Sequence, residues 1–187
     1  MFRKSLVVLV VAGLLASLGL LASAVFTATA TVDNNTFTTG TLTLTATPAS
    51  AALTLNTMVP GDSVTAPIAV NNAGSLDLRY AMTSNSTNVD SKNLATVMLL
   101  GIKTGVTTCT NGGFGASGTT LYTGTLTAAS FGNPAQGSQA GDRALAAAAN
   151  ETLCFQATLP LTTTNAYQGA ATTTTFTFTA EQTANNP

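Results

Sequence analysis

From residue 25 onward, apolar and polar side chains alternate with a period of two, the pattern of strands that have one wet face. In Val25–Val32, Phe26, Ala28, Ala30 and Val32 share one face, and Thr27, Thr29 and Thr31 the other. Asp33-Asn34-Asn35 interrupts the run. Phe37 to Ala46 resumes it, with Leu42, Leu44 and Ala46 inward. Leu53 and Leu55 predict the start of a further strand. Val59-Pro60-Gly61-Asp62 predicts a tight turn, because Pro presets φ at the second position and Gly accepts positive φ at the third. Val64, Ala66, Ile68 and Val70 mark the next strand, and Pro67 places it at an edge or a bulge. Leu76, Leu78, Tyr80 and Met82 form the most amphipathic one.

The second half of the chain is less regular. Residues 84–93 and 130–142 are polar and predict loops. Asn93 to Ile102 fits either a short helix or, over Val97–Ile102, a buried strand. Gly112–Gly118 is a glycine-rich loop, and Leu121–Leu126 a short strand. The alanine run within Arg143–Asn150 predicts a helical turn. Leu153, Phe155, Ala157 and Leu159 make a strand stopped by Pro160, and Phe176, Phe178 and Ala180 face inward in the last one. Seven to nine short strands with turns between them predict an all-β fold, a β-sandwich of jelly-roll-like or immunoglobulin-like type with short helical insertions. The absence of the immunoglobulin pattern of two cysteines around a core Trp leans it to the jelly-roll-like form.

The first 24 residues break this pattern. Arg3 and Lys4 precede an uncharged apolar run of 16 residues, Leu6–Leu21, and Ala22-Ser23-Ala24 follows. That is the layout of a cleavable export signal. A membrane anchor needs about 20 apolar residues to cross ~30 Å of hydrocarbon, more than this run offers. Cleavage between Ala24 and Val25 by a signal peptidase leaves 187 − 24 = 163 residues. The expected organisation is a signal peptide over 1–24, an amino-terminal strand and linker over 25–35, a sandwich domain over 36–182 and a frayed tail over 183–187.

Composition narrows the chemistry. The mature chain has four basic residues (Arg79, Lys92, Lys103, Arg143) against seven acids, a net charge of 4 − 7 = −3. Phosphate binding needs clustered Lys or Arg, so nucleic acid is not an expected partner. Thr accounts for 37 of the 187 residues and is left to cover the wet faces. In an exported chain Cys109 and Cys154 are expected to form one disulfide. It closes a loop of about 46 residues, worth on the order of 4 kcal/mol by chain entropy.

The sequence has no His. A Ser-His-Asp triad, a Cys-His pair and an HExxH zinc site are therefore excluded. The acids are scattered and mostly in predicted turns, so no catalytic role and no cofactor are assigned. Asn34, Asn85 and Asn150 each open an Asn-x-Ser/Thr triplet in a predicted loop, where a glycan could be attached.

Phe37-Thr38-Thr39-Gly40-Thr41-Leu42-Thr43-Leu44, Val59-Pro60-Gly61-Asp62, Asn72-Ala73-Gly74-Ser75-Leu76, Tyr167-Gln168-Gly169, Phe176-Thr177-Phe178 and Ala180-Glu181-Gln182 follow one another along the chain. In this order they resemble the TasA/camelysin family of secreted matrix proteins. The resemblance implies a jelly-roll subunit of an extracellular biofilm fibre or pilus. It also implies a homopolymer joined head to tail by donor-strand exchange, with Val25–Val32 as the donor and Val25, Phe26, Ala28, Ala30 and Val32 as its residues.

Roughly six backbone bonds at about 1 kcal/mol each would favour such a joint. Burial of Phe26 and Val32 at about 1.5–3 kcal/mol apiece adds to this, against an association cost of several kcal/mol. The segment equally fits an ordinary first strand of its own sandwich. Some camelysin relatives carry a metalloprotease label, from which a chain without His departs. Three other readings compete: a monomeric surface-binding module, a hydrolase, and a pilin that keeps its apolar amino-terminal segment. No membrane association is expected after cleavage.

Overall fold

The computed structural model describes residues 34, 36–50 and 52–186. The expected signal peptide, its cut at Ala24–Val25 and the strand Val25–Val32 with Phe26, Ala28, Ala30 and Val32 lie outside them. The chain divides into two units, Met1–Thr38 and Thr39–Pro187; the architecture below is that of the second.

That unit is all-β, with nine strands and two single-turn 3-10 helices. The strands are β1 (Leu44–Thr47), β2 (Ser63–Asn72), β3 (Leu78–Ser86), β4 (Leu99–Thr104), β5 (Thr119–Thr125), β6 (Ser130–Phe131), β7 (Arg143–Leu145), β8 (Asn150–Thr158) and β9 (Thr174–Gln182). One antiparallel sheet has the order β1-β2-β8-β4-β5. In the other, β3 is central: β9 pairs with it along its whole length, from Leu78↔Gln182 to Ser86↔Thr174, and the short β6 and β7 share its other side.

The sheets pack face to face because the alternation gives each strand one apolar face. Ile68, Val70, Leu100, Ile102, Leu153 and Phe155 from one sheet meet Leu78, Tyr80, Met82 and Phe131 from the other. Phe155 lies against Phe176 with ring centroids 5.0 Å apart, so the register of the two sheets is fixed by large side chains near the middle.

Turn chemistry follows the expected lines. Asp62 N–H donates to Val59 O at 3.0 Å and the Asp62 carboxylate accepts from Val59 N–H at 2.9 Å. Gly61 holds φ at +100°. At the next turn Asn72 is buried, and its amide donates to three carbonyls, of Leu76, Leu145 and Ala146. Pro67 is explained by the ladders. Asn72 N–H bonds across to Ala149 O, so by alternation the odd residues of β2 point their backbone toward β1. β1 reaches only as far as Ala69, so the N–H that Pro67 lacks has no strand opposite it.

Five expectations are corrected. The strand expected over Phe37–Ala46 begins only at Leu44, where pairing with β2 starts at Asn72, and Phe37 is exposed. Leu53 and Leu55 form no strand; two alternating positions between Pro48 and Pro60 do not define a segment that can hold a ladder. Residues 84–86 are strand, not loop, because β9 supplies a partner: Ser86 Oγ and Thr174 Oγ1 are 2.8 Å apart. Within the predicted 130–142 loop, Ser130 and Phe131 form β6 against Met82 and Thr83. The alanine run makes no helical turn. Eight residues do not overcome helix nucleation; Arg143 and Leu145 pair with β3, and Ala148 sits at φ +57°. Asn93–Ile102 contains both alternatives, a 3-10 turn at Leu94–Thr96 and then β4.

Cys109 and Cys154 are bonded, with Cα atoms 5.6 Å apart. The bond ties the glycine-rich loop to the outer face of β8. That loop is folded down rather than loose. Phe114 is buried and packs where a side chain on Gly101 would sit, 2.8 Å from the Cβ position, and Lys103 Nζ lies 5.0 Å from its ring centroid.

Candidate functional site

The two edges on one side of the sandwich, β1 and β9, are unlike the other side. Opposite them the pairing of β5 with β4 shifts register between Ile102 and Lys103, and β6 and β7 are only two and three residues long. β9 is nine residues long, and its stretch Thr174–Ala180 has no charge, no Pro and no bulge. Natural proteins guard long edges with such features, since an unguarded edge pairs with other chains.

The hydrogen-bond phase shows what this edge presents. Thr183 N–H donates to Asp77 O and Thr87 N–H to Thr173 O, at the two ends of the β3–β9 ladder. Alternation then directs the odd residues of β9 to β3 and the even ones outward. The backbone N–H and C=O groups of Thr174, Phe176, Phe178 and Ala180 therefore point away from the sheet and have no partner among the described residues. The same logic applied to Ala73 N–H→Thr43 O points the backbones of Leu44 and Ala46 outward from β1.

Between these edges lies a groove of about 1310 Å³. Small-molecule pockets run about 300–1,000 Å³, so this one is sized for a longer guest. Its floor is apolar: Ile68, Leu94, Met98, Leu126, Phe176 and Phe178. The two phenylalanines project into the sandwich and pack against the core cluster but are only half buried. Residues 48–50, 52–60 and 163–175 supply the walls, with Leu55 and Val59 exposed at 45% and 61%. Thr163 Oγ1, in one wall, is buried without a hydrogen-bond partner among the described residues.

A second cluster lies across the sandwich interior. Tyr80 on β3 donates its phenol proton to Glu151 Oε1 on β8 at 2.5 Å. Arg143 on β7 grips the same carboxylate in a fork, Nε to Oε1 at 2.8 Å and Nη2 to Oε2 at 2.6 Å. Thr104 Oγ1 completes it at 3.1 Å. Burial raises the Tyr80 phenol well above its usual range, and the bond to Glu151 adds to this. Burial works against ionisation of Glu151 too, but the bonds from Arg143, Tyr80 and Thr104 outweigh it and hold the carboxyl below its ordinary value. The bond to Glu151 in turn raises Arg143. The cluster joins the two sheets through β3, β7, β8 and β4 and is a structural clamp. Sequence reading missed it, since Glu151 looks like a sequon's middle residue and Arg143 like part of an alanine helix. Its one visible signal was an acid at the start of the strongest β-strand.

The other described acids also have partners. The carboxylates of Asp77, Asp90 and Asp142 accept backbone N–H groups at 2.7–3.0 Å, from Ala147, from Lys92 and Ala171, and from Asn133 and Gln139. Glu181 bonds Arg79 at 2.5 Å and the N–H of Gly137 at 3.0 Å. Asn34, Asn85 and Asn150 are all exposed, but Asn85 and Asn150 lie in β3 and β8 rather than in loops, because β9 and β2 supply partners there.

A family model described as camelysin metallo-endopeptidase matches residues 1–186. The chain belongs to the camelysin family. No curated protein matches it. The family description implies a metal, which the residues present do not fit. Zinc in a protease needs His, Cys or carboxylate ligands converging on one point. The chain has no His, both its cysteines are in the disulfide, and its described carboxylates are engaged as above. No group of three or more candidate ligands occurs among the described residues. No helix among them is long and apolar enough to cross a membrane.

Proposed function

We propose that the mature chain is a structural, non-enzymatic subunit of an extracellular fibre in biofilm matrix. It polymerises when the segment Val25–Val32 of one copy enters the β1–β9 groove of the next. The observation that carries this is the β9 edge: its stretch Thr174–Ala180 has no charge, Pro or bulge, and it has outward backbone groups and half-buried phenylalanines beside an apolar groove. Strand addition needs such an edge, because main-chain bonds supply affinity and alternate side-chain pockets supply register. Camelysin-family membership and the export-type amino terminus support an extracellular setting. The occupant is argued from the chain itself. Val25–Val32 is eight residues, about 26 Å as a strand, close to the length of β9. Its Phe26, Ala28, Ala30 and Val32 offer an apolar face to the groove, and its threonines offer a wet face outside.

The test is to purify the secreted protein, read its amino terminus by mass spectrometry and image it by negative stain. A start at Val25 together with filaments is the expected result. A start near Ser5 would transfer the assignment to a pilin that retains its apolar segment. A chain starting at Val25 that stays monomeric at high concentration would favour a surface-binding module.

A further inference from the structure

Resting on the fibre reading above, we infer the direction and register of the joint: Val25–Val32 runs antiparallel to β9 of the neighbouring copy, with Ala28 beside Phe178 and Ala30 beside Phe176. The direction follows from where the chain enters the sandwich. Call the end carrying Asn72 and Gln182 the base, and the end carrying Ser63 and Thr174 the top. These ends coincide in the two sheets, because Phe155 meets Phe176 and Glu151 meets Tyr80. β1 pairs Leu44 with Asn72 and Thr47 with Ala69, so it climbs from base to top. Thr41 O already accepts from Ser75 N–H, so the chain arrives from below the base. β9 descends, with Thr174 opposite Ser86 and Gln182 opposite Leu78.

Copies stacked base on top repeat one heterologous contact without limit, as a fibre requires. The arm leaving the base of the upper copy then enters the groove from the top, with its amino terminus deepest. It climbs while β9 descends, which is the antiparallel arrangement. The nine residues Asp33–Thr41 join Val32 to the first pairing position of the arm's own sandwich; they span at most roughly 30 Å. The reverse direction would send this linker out at the acceptor's base. Two bases would then have to meet, giving a closed pair in place of a chain.

The register follows from side-chain size. The outward backbone groups of β9 belong to residues whose side chains face the groove. Hydrogen-bonded pairs therefore match them with the apolar face of the arm. With Ala28 opposite Phe178, the other pairs are Phe26–Ala180, Ala30–Phe176 and Val32–Thr174. Each phenylalanine on either strand then meets a small partner. A shift of two residues toward the top sets Phe26 against Phe178, and a shift toward the base sets Val32 against Phe176; both crowd the groove.

In this register the exposed threonines pair as Thr27–Thr179, Thr29–Thr177 and Thr31–Thr175. They occupy non-hydrogen-bonded positions, with Cα atoms about 4.5 Å apart, within reach of a disulfide. The experiment uses the full chain, secreted and assembled under mild oxidation, in three double variants: T27C/T179C, T27C/T175C and T29C/T177C. The expected result on non-reducing gels is a ladder of covalent multimers for T27C/T179C and T29C/T177C, with none for T27C/T175C. A ladder for T27C/T175C would reverse the direction and overturn the inference while leaving the fibre intact. Fibres without any ladder would show that β9 is not the neighbour and overturn it as well.

The same contrast is read without assembly. A residue 25–32 peptide spin-labelled at position 27 is added to protein lacking 25–32 and labelled at 179 or at 175. The short distance is expected at 179, and a short distance at 175 contradicts the inference. If wild-type protein starting at Val25 forms no fibres, it is the fibre reading itself that has failed.

Discussion

Deleting Val25–Val32 is expected to abolish fibre formation and leave a folded monomer. The sandwich keeps its core, because the Ile68–Leu159 cluster is a closely packed set of described residues from both sheets. Only the guest of the groove is lost. A synthetic peptide of residues 25–32 should bind the truncated protein in trans and raise its melting temperature. At a hundredfold excess over the dissociation constant the gain is about 2.7 kcal/mol. For a domain of this size that is a shift of several degrees, since about 1 kcal/mol moves Tm by roughly 2–4 °C. Sedimentation and thermal melting read both effects. Normal polymerisation of the truncated chain would show that Val25–Val32 is an ordinary strand or a spectator.

Arg143→Ala is expected to be the most damaging single substitution away from the apolar core. It removes both arms of the fork and leaves the Glu151 carboxylate inside the sandwich, with only Tyr80 and Thr104 to hold it. Breaking a buried pair costs about 3–5 kcal/mol. The side chains here are 25% and 15% exposed, so the loss should fall toward the lower end. Urea denaturation measures it.

The pH response carries a sign that can be worked out. The Glu151 carboxyl is depressed in the fold from an ordinary value of 4.5. Its stabilisation is present above that value and is lost as pH falls through the folded one. Tyr80 is raised in the fold from 10.0, so its contribution is present below pH 10.0 and is lost above it. In Arg143→Ala the carboxyl loses its main lowering partner, so the gap between its folded and ordinary values narrows and the acid loss of stability that it contributes should become smaller. An unchanged acid limb would show that the clamp does not govern it.

The alternation that makes β2, β3, β8 and β9 was legible because each has one apolar face at period two, which the sheet obliges. The turn at Val59–Asp62 was legible for a similar reason: its chemistry is local. What escaped the sequence is non-local. β6 and β7 exist only because β3 has a free side there, and Ser84–Ser86 are strand only because Thr174–Phe176 lie opposite. The clamp needed the register of four strands before Tyr80, Arg143 and Glu151 could be seen to meet. The groove shows the same division. Phe176 and Phe178 read as inward residues from the pattern, but their half-burial, and the outward phase of their backbone groups, follow from the β3–β9 ladder.

That phase also gives the most direct measurement of the central claim, that a strand from another copy completes the sandwich at β9. The amides of Phe176, Phe178 and Ala180 have no partner among the described residues, whereas those of Thr175, Thr177 and Thr179 are directed to β3. Hydrogen–deuterium exchange at single-residue resolution, comparing the monomer lacking 25–32 with assembled fibres, separates the two sets. The account predicts fast exchange at 176, 178 and 180 in the monomer and strong protection of all three in the fibre, with 175, 177 and 179 protected in both. Fibres in which 176, 178 and 180 still exchange as fast as in the monomer would contradict it.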